Sequence, residues 1–310
     1  MRNQVTVAIP VYNGEKYLPE ALQSITNQTH KVDQILICDN HSTDNTIPII
    51  EKFISEHPGH TFHLHQNEKN IGPEHNFNKC MELCDTKFLI ILGADDRLKP
   101  EAVRKQLELF EEMPELALIG GHYEPIDGEG KSISKPAKKE TVIFKKGDIL
   151  EFMRTTGFYM QHSTIMFNMD CTRKVGFYDT RYIASDERLN VTHLLKYPIA
   201  QIGEALVDSR FHKGQATQDE RSRFDDKIMH FKANMAMAKY ESTPERIAET
   251  EKLLKKWVAD QCVAIGRSVW KNQGNPSVAI KYWKYGIKHN PYIVFKYRFW
   301  KSIGYSLLNR

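Results

Sequence analysis

Phe88-Leu89-Ile90-Ile91-Leu92 is an unbroken apolar run, and Gly93-Ala94-Asp95-Asp96 follows it directly. A strand without polar alternation is buried on both faces, so it belongs inside a sheet that helices cover on either side. The same stretch delivers two adjacent carboxylates to the end of that strand. Neighbouring aspartates there repel each other and lose hydration, so they need a cation or an Arg/Lys cluster beside them. Oxygen ligands of this kind suit Mg2+ or Mn2+, ions that commonly carry phosphate. The competing reading is an acidic turn that caps the helix predicted over 101–110, just behind Pro100.

Upstream, strand and helix alternate three times. A β-rich run over 4–10 passes through Asn13-Gly14 into an amphipathic helix over 15–26. A strand over 34–38 passes through Asp39-Asn40-His41-Ser42-Thr43-Asp44 into a helix over 47–54, with Ser42, Thr43 and Asp44 as capping residues. A strand over 61–65 passes through Asn70-Ile71-Gly72-Pro73 into a helix over 74–84, and 116–120 offers a fifth strand after the run over 88–92. This order predicts an α/β fold with a Rossmann-like, mostly parallel sheet flanked by helices. Ligands of such sheets sit beyond the carboxyl ends of the strands. Tyr12 and Asn13, Asp39, Asn70 and Gly72, and Asp95 and Asp96 each fall at such an end. The chain has no Gly-x-Gly-x-x-Gly after the first strand and no Gly-x-x-x-x-Gly-Lys-Ser/Thr, which disfavours dinucleotide-binding and P-loop chemistry.

Pro10-Val11-Tyr12-Asn13, then Asp39 to Thr46, then Asn70-Ile71-Gly72 with Asn76, then Ala94-Asp95-Asp96, resemble in that order the signature of family 2 glycosyltransferases. The resemblance implies the GT-A fold, a nucleotide-diphosphate sugar donor and inversion at the transferred carbon. It implies that Pro10 and Tyr12 border the nucleobase, with Tyr12 available to stack, and that Asp39 accepts a hydrogen bond from the base, most often uracil. Asn13, Asn70, Gly72 and Ala94 join them in the nucleotide-sugar site. Asp95 and Asp96 stand for the family's Asp-x-Asp motif, which holds Mn2+ or Mg2+ on the donor diphosphate, with Asp95 as the direct ligand and Asp96 alongside. Gly93 replaces the first Asp of the commoner pattern, which puts a ribose contact from that position in doubt.

Two further motifs come from the same resemblance. Ala184-Ser185-Asp186-Glu187 is similar to the family's second acidic motif, usually Glu-Asp, at the start of a helix under the acceptor. Ser185 takes the Glu position, so Asp186 is the candidate base and Glu187 the fallback; Asp186 as a helix N-cap is the plain alternative. Direct displacement needs such a carboxylate to take the acceptor hydroxyl's proton. His212-Lys213-Gly214-Gln215 is similar to a His-x-Gly-Gln loop that closes over the diphosphate, which makes His212 a nitrogen ligand and turns Lys213 or Arg210 to phosphate. A lone His after a strand is equally read as structural.

The implied organisation is a catalytic domain over 1–218, with a nucleotide-sugar half (1–121) and an acceptor half (122–218), and a helical appendage over 219–310. Residues 122–146, around Asp127-Gly128-Glu129-Gly130, read as a hairpin, a mobile flap or a surface insertion. Helices are predicted over 228–239, 244–270, 277–288 and 293–308. The net charge of +4 is uneven: nine Lys or Arg and no acid follow Asp260, which leaves the first 260 residues at −5. In the last helix Phe299, Ile303 and Leu307 line a stripe beside Trp300, Lys296 and Lys301. That stripe suggests a membrane surface contact through 293–310, or a helix packed on its neighbours.

The longest apolar run is far short of a bilayer span, and the first residues carry no signal-peptide core. The expected location is cytoplasmic, peripheral on the inner face of the cell membrane. Five cysteines without Cys-x-x-Cys fit buried thiols rather than disulfides or zinc. The expected partners are the sugar donor and a glycan or lipid-linked saccharide acceptor in cell-surface polysaccharide assembly. No nucleic-acid module is recognised. A sugar nucleotidyltransferase would want a Gly-rich basic loop after the first strand, which is missing. A non-catalytic sugar-nucleotide or glycan-binding protein is the other alternative, hinted at by Gly93 and Ser185.

Overall fold

The computed structural model describes residues 4–157, 160–181, 186–212 and 224–295. Cα packing separates two compact units, one of 1–147, 159–180 and 185–212, the other of 148–158, 181–184 and 213–310.

The first unit is a mixed α/β sheet. Strands β1 (Val5–Val11), β2 (Gln34–Asp39), β3 (Phe62–Gln66) and β4 (Phe88–Ile91) alternate with helices α1 (Leu18–Thr26), α2 (Thr46–Glu56) and α3 (Pro73–Leu83). These four strands are parallel in the order β3-β2-β1-β4. After β4 come the short β5 (Arg97–Leu98), helix α4 (Ala102–Glu112), β6 (Leu118–Ile126) and β7 (Val142–Phe144). Past helix α5 (Ile149–Thr156), which belongs to the second unit, lie β8 (Met166–Asn168), α6 (Met169–Val175), α7 (Asp186–Lys196) and β9 (Ile199–Arg210). They extend the sheet to β3-β2-β1-β4-β8-β6-β9-β5, with β7 also on β9.

The apolar run at 88–92 is buried throughout, as its composition requires. Phe88, Ile90 and Leu92 from this run join Val5, Val7 and Ile9 from β1, Ile35 and Ile37 from β2 and Leu18, Leu22 and Ile25 from α1 in one core. Strand β1 is level with β2, pairing Val11 with Asp39, and the Asn40 amide donates to the Val11 carbonyl beyond the last pair. Thus the chain ends of β1 and β2 finish side by side.

Residues 122–146 do not form the expected hairpin. Strand β6 continues to Ile126 beside β9, and β7 pairs with β9 rather than with β6. Among the described residues the hairpin idea survives only as a single bridge, Ile126 to Ser132.

The second unit is helical. It contains α5, α8 (Phe224–Met235), α9 (Pro244–Gln273) and α10 (Pro276–His289), with 3-10 turns at Ala236–Tyr240 and Pro291–Phe295. Of the helix expected over 293–308, the described part is that final turn, and 296–310 lie outside the described residues. Buried Glu241 ties α5 to the start of α9: its carboxylate accepts from the Leu150 amide and from Arg246, which also reaches Asp148.

Helices α9 and α10 approach closely where a side chain is missing. A Cβ at Gly266 would stand 2.5 Å from Trp283 Nε1 and 3.0 Å from the Ala279 carbonyl. Trp283 is itself fixed by stacking on Trp270, with centroids 5.5 Å apart. Gly266→Val is therefore expected to cost about 2 kcal/mol through overpacking, enough to lower the melting temperature of the whole chain by several degrees in a thermal scan.

All five cysteines are free thiols. Among the described residues no helix is long and apolar enough to cross a membrane.

Candidate active site

The parallel strands deliver their polar ends to one edge of the first unit. Asp39 ends β2 and is 2% exposed. One oxygen, Oδ2, accepts from the Ser42 amide at 3.1 Å, while Oδ1 is buried without a hydrogen-bond partner. A buried carboxylate oxygen left unpaired costs free energy of order 1–3 kcal/mol, so the site retains an acceptor that a ligand N–H can use. Tyr12, just past β1, holds its ring out, 49% exposed. Pro10, in β1, is half-buried.

The loops at this edge are tied together by side chains rather than by strand pairing. Asn13 adopts φ +52°, a left-handed conformation that Asn tolerates better than most residues. Its Oδ1 accepts from the Thr43 amide at 2.8 Å, and its own amide donates to Ser42 Oγ at 2.9 Å. Glu15 and Asp44 repeat the tie one step on, each accepting from the other loop.

Four asparagines fasten the third loop. Asn40 Nδ2 donates to Asn70 Oδ1, Asn67 Nδ2 donates to both Asn40 Oδ1 and Asn76 Oδ1, and Asn76 Nδ2 donates to the Cys38 carbonyl. Gly72, at φ +85°, turns the chain into α3. The sequence motifs included Asn40, Asn70 and Asn76 but did not reveal that they form one network or that Asn67 completes it.

The aspartate pair divides its work. Asp96 is 5% exposed; its Oδ2 accepts from Ser163 Oγ at 2.7 Å and Gln161 Nε2 at 3.2 Å, and its Oδ1 accepts from the Arg210 amide at 3.0 Å. It caps no helix, since α4 starts at Ala102 behind Glu101. Burial and the neighbouring Asp95 charge push its pKa up to about 6.

A carboxyl whose folded pKa exceeds its unfolded value of 3.8 destabilises the fold increasingly as pH rises from about 4 through 6. Without divalent ions, the parent is therefore expected to lose stability relative to Asp96→Asn across that window and to hold a constant offset above it. Denaturant melts at several pH values check this.

Asp95 is the more exposed of the two. Its side chain is 31% exposed, and Oδ2 lies 3.1 Å from His212 Nε2 at the end of β9. The His212 ring packs on Tyr17, with centroids 4.7 Å apart. Gly93 and Ala94 form the half-buried turn before the pair. A Cβ at Gly93 would stand 3.1 Å from Asp95 Oδ1 and 3.2 Å from Asp96 Oδ2, so the missing first carboxylate leaves little room for a substitute.

Arg210 does not face outward as one of the two phosphate candidates. Its side chain is fully buried and donates to the carbonyls of Asp95, Asp127 and Gly128 and to Glu20. Lys213 lies outside the described residues.

Asp186 and Glu187 open α7 as its first two helical residues, both half-buried. The negative charge of Asp186 and, more strongly, burial raise the Tyr178 pKa well above its usual value. The Tyr178 hydroxyl is hydrogen-bonded to His162 Nδ1 at 2.8 Å, and burial lowers the His162 pKa to about 4, so this pair is neutral near pH 7. The 3-10 turn His162–Thr164 thus puts His162 against Tyr178 and its next residue, Ser163, against Asp96. Sequence reading missed Gln161, His162 and Ser163 as site residues; their role depends on contacts with Asp96 and Tyr178 far along the chain.

The family described as Glycosyl transferase family 2 matches residues 6–174, more than half of the chain and every strand of the parallel half. The chain belongs to that family. Among its relatives, an uncharacterised glycosyltransferase of Methanocaldococcus jannaschii is 30% identical over 206 residues, covering 63% of this chain and 70% of that protein. The chondroitin synthase of Escherichia coli is 35% identical over 130 residues, 42% of this chain. The chain spans only 18% of that synthase's length.

Solved structures of this family 2 chain's fold include S. aureus TarS 1–349, with TM-score 0.67 at 16% identity over 94% of this chain and 82% of that one. The same TarS piece is also solved in complex with UDP-GlcNAc. The mannosyltransferase PcManGT from Pyrobaculum calidifontis, in complex with GDP-Man and Mn2+, gives TM-score 0.60 at 16% identity over 100% of this chain and 87% of that one. The architecture is thereby the GT-A fold that the motifs implied, with a helical C-terminal region.

Proposed function

We propose that this glycosyltransferase is inverting and metal-dependent. It would move a sugar from a nucleotide-diphosphate donor, a UDP-sugar, to a saccharide or lipid-linked glycan during cell-surface polysaccharide assembly. The observation that carries this is the convergence of Asp95 Oδ2 and His212 Nε2 to 3.1 Å at the edge where Asp39 keeps an unpaired oxygen.

The carboxylate oxygen suits Mn2+ or Mg2+, and the imidazole nitrogen beside it favours the transition metal, Mn2+, of the two. Among the described residues no group of three His, Cys, Asp or Glu side chains could hold an ion. A site with two protein ligands fits an ion that takes its remaining ligands from the donor phosphates and water. Asp95 and His212 would hold that ion, and Asp96 would support them from behind. When bound, the ion would neutralise charge on the departing diphosphate.

The chain's own groups do the rest in this reading. Tyr12 stacks on the base, and Asp39 Oδ1 accepts its N–H. Asn13, Asn70, Gly72 and Ala94 shape the loops around the nucleotide. Asp186 takes the acceptor hydroxyl's proton as that oxygen attacks, with Glu187 beside it. UDP-GlcNAc bound to TarS and GDP-Man with Mn2+ bound to PcManGT support a nucleotide-sugar donor.

The deciding experiment measures UDP release from a panel of UDP-sugars with Mn2+, alongside calorimetric binding of UDP, GDP and CDP. UDP should bind most tightly, and Asp39→Ala should weaken it by roughly 10- to 100-fold, the loss of one charge-assisted hydrogen bond. If UDP binds but no UDP-sugar is turned over with saccharide acceptors, the protein binds nucleotide sugars without transferring them.

We further assign residues 1–218 to catalysis and 219–310 to an appendage that meets anionic lipid through its acid-free basic end, from the cytoplasmic side. Exposed Tyr292 and Phe295, and exposed Lys281, Lys284 and Lys288 on the preceding helix, support that contact. Flotation with liposomes rich in anionic lipid should carry the full chain and leave a variant lacking 293–310 behind.

A further inference from the structure

We infer that Arg210 and Glu20 form a positioning pair that sets how tightly the Asp95–His212 site holds a divalent ion. The inference rests on the metal reading above. It gives the remote carboxylate of Glu20, on α1, control over a site it does not touch.

Arginine is almost never fully buried unless paired, yet the Arg210 side chain is 0% exposed. Its guanidinium is distributed over three elements. Nε donates to the Asp95 carbonyl at 2.9 Å, Nη1 donates to the carbonyls of Asp127 at 3.3 Å and Gly128 at 3.2 Å, and Nη2 donates to Glu20 Oε2 at 2.8 Å. The guanidinium carbon also lies 4.6 Å from the centre of the Tyr17 ring.

The same residue's amide donates to Asp96 Oδ1 at 3.0 Å. Arg210 therefore fixes the main chain of one aspartate and the carboxylate of the other. His212 follows two residues later and packs on the same Tyr17 ring. The two candidate ligands are thus referred to one fork: Asp95 through its carbonyl, and His212 through the chain and the shared aromatic surface.

Carbonyl dipoles orient a guanidinium but carry no net charge. Glu20 supplies a direct ionic contact and is 45% exposed, shared at 3.1 Å with Arg97, which is itself paired with Asp208. With Glu20 neutralised, the buried guanidinium draws more strongly on Asp95 and Asp96, and so competes with an incoming cation for the same negative charge. Lysine at 210 keeps the charge but loses the planar fork that reaches three acceptors at once.

The test is Mn2+ binding to the full chain, read by electron paramagnetic resonance of free Mn2+ with and without UDP. Glu20→Gln and Arg210→Lys are compared with the parent at low salt and at high salt. We expect Mn2+ to bind about 3- to 10-fold more weakly to Glu20→Gln and about 10-fold more weakly to Arg210→Lys, with both losses persisting at high salt, where long-range surface effects are screened.

If Arg210→Lys fails to fold, as judged by circular dichroism, Glu20→Gln decides the matter alone. Unchanged Mn2+ affinity in folded variants, or a loss that high salt abolishes, overturns the pair's positioning role while leaving the metal site intact. A parent that binds no Mn2+ even with UDP overturns both the inference and the metal reading.

Discussion

Asp95→Asn is expected to lower sugar transfer by about 10^3-fold at saturating donor while leaving the melting temperature within a few degrees of the parent. Groups that stabilise developing charge in the transition state are worth about 10^2- to 10^3-fold each when removed, and holding an ion on the leaving group adds to that role. The fold tolerates the change because what anchors this residue to Arg210 is its main-chain carbonyl, which asparagine keeps. The side chain is also one-third exposed, so the amide is not forced into a dry site.

A Mn2+ titration of initial rates checks the prediction. The variant's activity should no longer saturate over the range that saturates the parent. Equal activity and equal Mn2+ dependence in the two proteins would remove Asp95 from the site. Gly93→Asp is expected to lower activity as well, because its Cβ would press within 3.1–3.2 Å of both carboxylates.

Asp186→Asn is expected to reduce turnover by about 10^2- to 10^4-fold with UDP affinity unchanged, since the loss of a general base falls on the chemical step. Its position allows the isolation of that effect. It opens α7, away in sequence from the nucleotide loops, and its charge helps raise the Tyr178 pKa. Single-turnover rates together with UDP calorimetry separate the two contributions. Glu187→Gln, one residue on, should cost far less. If Glu187→Gln carries the large loss and Asp186→Asn does not, the base is Glu187.

The parallel half of the sheet was legible because its signals are local. The run at 88–92 is apolar at every position, and the burial of β1 and β2 is nearly continuous. The strands therefore fell within a residue or two of the predicted bounds. Strand β9 was harder. Gln201, Gly203 and Glu204 interrupt the apolar pattern of its first part. Gln201 pairs with both β6 and β7, while Gly203 and Glu204 fall in the register shift against β6 between Gly121 and His122.

The candidate site shows the same division. Tyr12, Asp39 and Asp95 could be named because each follows a recognisable strand, and what the sequence determined by itself was this set of strand-end polar groups and the α/β order that brings them to one edge. The tertiary structure decided how they are used. Asp96 turns inward because Ser163 and Gln161, 67 and 65 residues away, offer it donors. Asp95 turns to His212 across 117 residues, and Arg210 is buried because Glu20, 190 residues away, meets its charge. Periodicity reports which face of an element is dry, since that depends on near neighbours. Which polar atoms meet depends on how distant strands register, and no short stretch of sequence carries that.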